Sequence, residues 1–165
     1  SYVHVHGNLL SLDPDLCQVD TDQFESLCAR GEIRQRAGDA EGAMPYFKKA
    51  LDLVSREFLS DDQYVPWVDT RRHELHEKRL LLLFRAGELS ENLGDSRNAI
   101  AYYGKILELD PLAERACQRL MTLYSNRGMR NAAIKVFENL RKSLKDEINC
   151  EPDHLTMALY RKLIQ

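Results

Sequence analysis

The sequence predicts an all-α chain built from repeated helix pairs, with one short β-hairpin at its start. Three observations carry this reading. Beyond Asp20, apolar residues recur at spacings of three and four, the period of a helix with one buried face. Only 8 glycines and 5 prolines punctuate 165 residues, so few breaks interrupt that period. A set of small and aromatic residues also returns at a fixed interval: Gly94, Ala99, Tyr103 and Ile106 reappear 34 residues later as Gly128, Ala133, Phe137 and Leu140.

Taken in order, Tyr2 to His6 and Leu9 to Leu12 are short β-prone runs separated by Gly7-Asn8, a dipeptide suited to positive φ, and predict the hairpin. Asp13-Pro14-Asp15 breaks the second strand, and Asp20 or Thr21 is expected to cap a helix beginning near Phe24. A first copy of the repeat follows as Gly38, Ala43, Phe47 and Ala50, with Gly38 lying 56 residues before Gly94. The excess of 22 over the period implies an insertion, placed around Ser55 to His76, where Phe58 to Trp67 interrupts the helical pattern before a long helix resumes. Gly31 and Gly87 fall at the small position of the first helix in copies one and two, and Leu120 and Tyr124 at its large positions in copy three. Asp110-Pro111 closes copy two. After a break at Asn149 to Asp153, His154 to Ile164 reads as a capping helix with Leu155, Ala158, Leu159 and Leu163 inward.

Thirty-four residues is the tetratricopeptide period. In such a helix–turn–helix unit the glycine permits the tight turn, the small alanine lets the two helices approach, and the aromatic fills the space beside them. The expected architecture is a tetratricopeptide-like right-handed superhelix of about three helix pairs plus a capping helix. Three copies are about the minimum for a stable stack.

Composition narrows the function. With 23 Lys and Arg against 26 Asp and Glu, the net charge of −3 provides no global basic field to hold nucleic acid, which disfavours a free-standing DNA binder. No run approaches 18 apolar residues and the N-terminus lacks a basic-then-apolar signal, so a soluble, cytoplasmic protein is expected. The first residue, Ser1, suggests a piece of a longer protein. Cys17, Cys28, Cys117 and Cys150 are far apart and are expected as reduced thiols.

The residues offer little for catalysis. His73-Glu74-Leu75-His76 has its histidines at i, i+3 where a zinc-protease helix needs i, i+4, so it reads as a solvated helix face. His4 and His6 share one strand face but have no third ligand nearby. No phosphate-cradling glycine loop or nucleophile elbow is present. Tyr46, Phe47, Tyr102, Tyr103 and Phe137 are expected between helices in the core. The expectation is no enzyme, no cofactor and no metal.

Repeat alignment does identify a candidate groove, because in a tetratricopeptide stack the first helix of each pair lines the concave side. Those positions are Glu25, Cys28, Glu32, Gln35 and Arg36 in copy one, Glu88, Glu91 and Asn92 in copy two, and Arg115, Gln118, Thr122, Ser125 and Asn126 in copy three. A polar groove without paired catalytic groups suits a peptide or protein segment, or else is simply solvated. Charge is uneven: residues 1–70 carry 6 basic and 13 acidic side chains, residues 112–165 carry 10 and 6. Lys135, Arg141, Lys142 and Lys145 lie along one late helix, as a solvated face or as a surface for an acidic protein or a DNA backbone.

One set of motifs carries a family resemblance. Val19-Asp20 through Gly38-Asp39, the Pro66-Trp67 insertion, Leu109-Asp110-Pro111-Leu112 and the tail Glu147 to Asp153 followed by Ala158-Leu159-Tyr160 resemble the bacterial transcriptional activator domain of antibiotic-regulatory-type (SARP) activators. The resemblance covers nearly all of residues 20–165. It implies a domain that directly follows a winged-helix DNA-binding domain of the response-regulator type, whose last hairpin is similar to residues 2–12. Residues 1–18 would then be the end of that domain and a linker, and 19–165 the activator domain. No recognition helix lies in the chain, so base reading would fall to the upstream winged helix. The function implied is a regulatory and protein-interaction domain of a DNA-binding transcription activator, mediating self-association and contact with the transcription machinery; its partners would be that machinery, its own DNA-binding domain and a second copy. The alternative is a tetratricopeptide scaffold or sensor unconnected with DNA.

Overall fold

A computed structural model describes residues 3–7, 9–13, 19–55 and 66–165. Strands β1 (Val3–His6) and β2 (Leu9–Leu12) pair antiparallel, with Val5 opposite Leu10. Among the described residues seven helices follow: α1 (Asp20–Arg36), α2 (Ala40–Leu53), α3 (Pro66–Asn92), α4 (Ser96–Leu109), α5 (Glu114–Asn126), α6 (Arg130–Ile148) and α7 (His154–Ile164). The result is all-α and tetratricopeptide-like, with α1–α2, α3–α4 and α5–α6 as the pairs. Asn8, Pro14-Asp15, Cys17 and the Phe58 to Val65 part of the insertion lie outside the described residues.

Each pair is joined by the same turn. Gly94 adopts φ +75°, a left-handed conformation that glycine enters without Cβ strain, and Gly38 and Gly128 match it at +79° and +70°. The carbonyl orphaned three residues before each helix end is taken by the amide after the glycine: Asp39 N–H to Arg34 at 3.0 Å, Asp95 to Ser90 at 2.8 Å, Met129 to Tyr124 at 2.8 Å. This is a Schellman cap, repeated three times. In the first two turns the next residue also caps the following helix, the Asp39 carboxylate accepting from Gly42 N–H at 2.8 Å and Asp95 from Asn98 N–H at 3.1 Å. Met129 gives α6 no such side-chain cap.

The chain forms two compact units, Ser1–Leu75 and His76–Gln165, with α3 contributing to both. In the first, Phe47 of α2 is fully buried and its ring occupies the space that a Cβ on Gly31 would need. In the second, Tyr103 of α4 is seated on Gly87, where an added Cβ would stand 2.6 Å from the ring. Copy three differs: Met121 takes the glycine's place, and Phe137 stacks on Tyr160 of α7 at 4.0 Å between centroids. Cys117, Met121, Ala133, Phe137, Leu140, Leu144 and Leu163 form the cluster that α5, α6 and α7 share.

Three expectations are corrected. Helix α1 begins at Asp20, a turn before Phe24, because Val19 carbonyl already accepts from Asp22 and Gln23 N–H at 3.1 and 3.0 Å; Val19 is the N-cap and no side chain caps it. The helical part of the insertion region extends back to Pro66, a residue suited to a first helical position. On α7, Leu155 is 54% exposed and Ala158 is exposed, whereas Thr156 and Leu163 are buried. The inward face is rotated because a polar network, described below, fixes Thr156.

Candidate protein-binding face

In the first unit, Glu25 of α1 accepts from Arg71 of α3 at 3.0 Å, and Arg71 also donates to Glu74 at 3.0 Å. These two carboxylates, Glu74 first, raise the Arg71 guanidinium further above its ordinary range. Glu32 pairs with Arg36 at 3.3 Å along the same helix. Cys28 and Gln35 are half-buried on that face.

In the second unit, the candidate residues of α3 and α5 meet. Arg115 lies 4.1 Å above the Phe84 ring and donates to Glu88 at 3.3 Å, combining a cation–π contact with an ion pair. Glu91 accepts from the Tyr103 hydroxyl at 2.7 Å and from Arg119 Nε at 2.9 Å. Burial, and then the bond to Glu91, push the Tyr103 hydroxyl far above its ordinary range, so it remains a donor. Glu91 is therefore a strut between α3, α4 and α5 more than a free surface charge. Asn92, Thr122, Ser125 and Asn126 are exposed at the end of the same stripe.

Gln118 is engaged with α7. Its amide donates to Asp153 at 3.1 Å and to Thr156 Oγ1 at 2.9 Å; Thr156 in turn donates to Glu114 at 2.7 Å, and Glu114 accepts from Asp153 N–H at 2.9 Å. The Asp153 carboxylate also caps α7 through Thr156 N–H at 2.7 Å, and that bond holds it below the usual carboxylate range. Beside this network, burial pushes the Cys117 thiol up to about 12, with the Glu114 and Asp153 charges adding to the effect, so it is an inert thiol at neutral pH. None of Cys28, Cys117 and Cys150 is in a disulfide.

Sequence reasoning did not single out Arg119, Phe84, Glu114 or Thr156. The first was signalled by its place four residues after Arg115 on the α5 stripe; the partnership of Glu114 with Asp153 spans 39 residues and left no local sign. On α6, Lys135, Lys142 and Lys145 are exposed, Arg141 pairs with Glu151 at 3.3 Å, and the exposed acids Glu138 and Asp146 are interleaved among them. Among the described residues, no group of three or more His, Cys, Asp and Glu is placed to hold a metal, and no helix is long and apolar enough to cross a membrane.

The face built by α3 and α5 is thus polar, braced from beneath, and lacks a nucleophile–base pair. Comparison with known proteins gives the family of the chain. Residues 19–164 match the bacterial transcriptional activator domain. The regulatory protein DnrI of Streptomyces peucetius is 28% identical over 159 residues, covering 94% of this chain and 58% of DnrI. EmbR of Mycobacterium tuberculosis, solved with a low-affinity phosphopeptide, superimposes with a TM-score of 0.77 at 19% identity, over 99% of this chain and 43% of EmbR. The TPR2B domain of yeast Sti1, solved in complex with pHsp70, superimposes with a TM-score of 0.59 at 16% identity, over 87% of this chain and 98% of that one. The chain spans between 15% and 58% of the length of the first regulatory proteins it matches. With the family match running over all seven helices, the chain belongs to the bacterial transcriptional activator domain family of SARP-type transcriptional regulators.

Proposed function

We propose that this chain is the protein-interaction domain of a cytoplasmic, DNA-binding transcription activator, in which residues 1–18 close an upstream winged-helix domain and residues 19–165 mediate self-association and contact with the transcription machinery. The observation that carries the reading is the α3–α5 face: Glu88, Asn92, Arg115, Thr122, Ser125 and Asn126 on two adjacent helices, held by the Arg115–Glu88 pair over Phe84. Part-exposed and exposed residues of both signs, backed by an aromatic ring and fixed by the part-buried Glu91–Arg119 pair, are suited to reading a protein segment. Glu25, Cys28, Glu32, Gln35 and Arg36 supply a similar polar face in the first unit. The complex of the Sti1 TPR2B domain with pHsp70 supports protein recognition by this fold, and the domain is assigned no catalytic role. DNA would be reached through the upstream winged helix.

Photo-crosslinking tests this. With p-benzoylphenylalanine at Asn92 or Asn126 of the full-length regulator, crosslinks to subunits of the transcription machinery or to a second regulator are expected; at Ala101, exposed on α4, they are not. Crosslinks confined to Ala101 would refute the α3–α5 face as the contact surface.

A further inference from the structure

The repeat register places an apolar residue on a face whose other members are polar. Leu81 of α3 lies 56 residues beyond Glu25 and 34 before Arg115, the offsets that relate Gly94 to Gly38 and to Gly128. By the same count Phe84 corresponds to Cys28 and Gln118. Where copies one and three carry a glutamate and an arginine, copy two therefore carries a leucine. That leucine is 54% exposed, although Leu82, Leu83 and Ala86 beside it on α3 are buried. Phe84 is half-buried, with the Arg115 guanidinium 4.1 Å above its ring. Residues three apart on a helix are surface neighbours, so Leu81 and Phe84 make one apolar patch. The charges beside it are asymmetric. In both ion pairs that join α3 to α5 the arginine is the outer member: the Arg115 side chain is 73% exposed against 36% for Glu88, and Arg119 42% against 21% for Glu91. The carboxylates are set back, and the guanidinium groups are presented outward.

From this we infer that Leu81, Phe84 and Arg115 form the specificity-determining subsite of the α3–α5 face, and that its occupant is an acidic segment of a partner protein with a large apolar side chain close to a carboxylate. Two chemistries select that occupant. The apolar side chain covers Leu81 and the accessible part of Phe84, removing both from water. The carboxylate accepts from Arg115, which meets Glu88 through one terminal nitrogen at 3.3 Å and has further N–H groups in its fork to donate. Within one turn of Leu81 on α3, Glu77 is outnumbered by Lys78 and Arg85, which adds to the attraction for an acidic chain. Glu88 takes part by orienting the Arg115 fork, and a lysine in its place would drive that guanidinium off its seat. A basic segment would meet the outer arginines first, and a phosphate backbone has no apolar group with which to cover Leu81.

The inference rests on the proposed α3–α5 contact face, and the test separates the two. The full-length regulator carries p-benzoylphenylalanine at Asn126, and its crosslinks to partner proteins are quantified in the parent and in Leu81→Ser, Leu81→Met and Arg115→Glu variants, each checked for folding by circular dichroism. Leu81→Ser and Arg115→Glu are each expected to lower the crosslink yield at least about fivefold, whereas Leu81→Met, which keeps an apolar side chain of similar size, holds it within about twofold. Mass spectrometry of the crosslinked peptide is expected to show a large apolar residue with an Asp or Glu beside it. Unchanged yield in folded Leu81→Ser or Arg115→Glu overturns the subsite, as does a crosslinked segment that is basic; in either case the crosslinks themselves leave the contact face standing. If the parent gives no crosslink from Asn126, the face and the subsite fall together.

Discussion

The second and third helix pairs share a turn, a period and a cap, yet they seat their aromatic residue differently. In the second, Tyr103 lies on Gly87 and its hydroxyl reaches out to Glu91 and Arg119. In the third, Met121 replaces the glycine and Phe137 stacks on Tyr160, contributed by the capping helix. An internal pair can thus close on itself, whereas the last pair depends on α7. The contrast teaches that the repeat specifies the turn strictly and the seat loosely.

The largest expected effect comes from closing the glycine seat. Gly87→Val puts side-chain atoms into the Tyr103 ring and should cost about 3 kcal/mol or more, read as a loss of Tm; a stable Gly87→Val protein would show that the pair does not close there. Gly94→Val, which forces a β-branched residue to φ +75°, is expected to cost about 1–3 kcal/mol. An unchanged Tm in that variant would break the repeat register itself. In the third pair, Thr156→Val keeps the shape but deletes the hydroxyl shared by Gln118 and Glu114, and should destabilise by about 1–2 kcal/mol. Tyr103→Phe removes one bond to Glu91 and should cost about 1 kcal/mol by denaturant midpoint.

The smallest effect is a pH dependence in the third pair. Asp153 is held below its ordinary pKa by Thr156 N–H, so its contribution is present above the unfolded carboxyl value of about 4 and is lost as pH falls through the lower folded value. Asp153→Asn should flatten stability against pH in that acidic window and nowhere else. An unchanged slope below pH 4 would mean that the cap is not populated.

Much of the fold was legible because its signals are local. A glycine at positive φ and a small residue opposite an aromatic each leave a mark at a fixed offset, so Gly38, Gly94, Gly128, Gly31 and Gly87 could be placed from spacing. The orientation of α7 was not legible. Its hydrophobic pattern favours Leu155 and Ala158 inward, and the structure turns Thr156 inward because Glu114 and Gln118, about forty positions away, supply its partners. The same limit applies to the candidate site. Repeat alignment put Glu88, Glu91 and Gln118 on one kind of position, but whether a carboxylate there is a surface charge or a strut depends on which side chain of the next helix lies within 3 Å. Arg119 makes Glu91 a strut, and α7 claims Gln118.

The central claim is that this domain activates by touching proteins and not by holding DNA. The most direct measurement pairs promoter activation with DNA affinity for the full-length regulator carrying Glu32→Lys and Glu88→Lys, leaving Glu91 intact because it braces Tyr103. Each reversal breaks one part-exposed ion pair, Glu32 with Arg36 and Glu88 with Arg115, a loss of about 0–1 kcal/mol apiece, while charge reversal at an interface can cost several. The account predicts a strong loss of activation with only a small fall in Tm and unchanged DNA affinity at fixed salt; normal activation, or activation and DNA binding falling together, would contradict it.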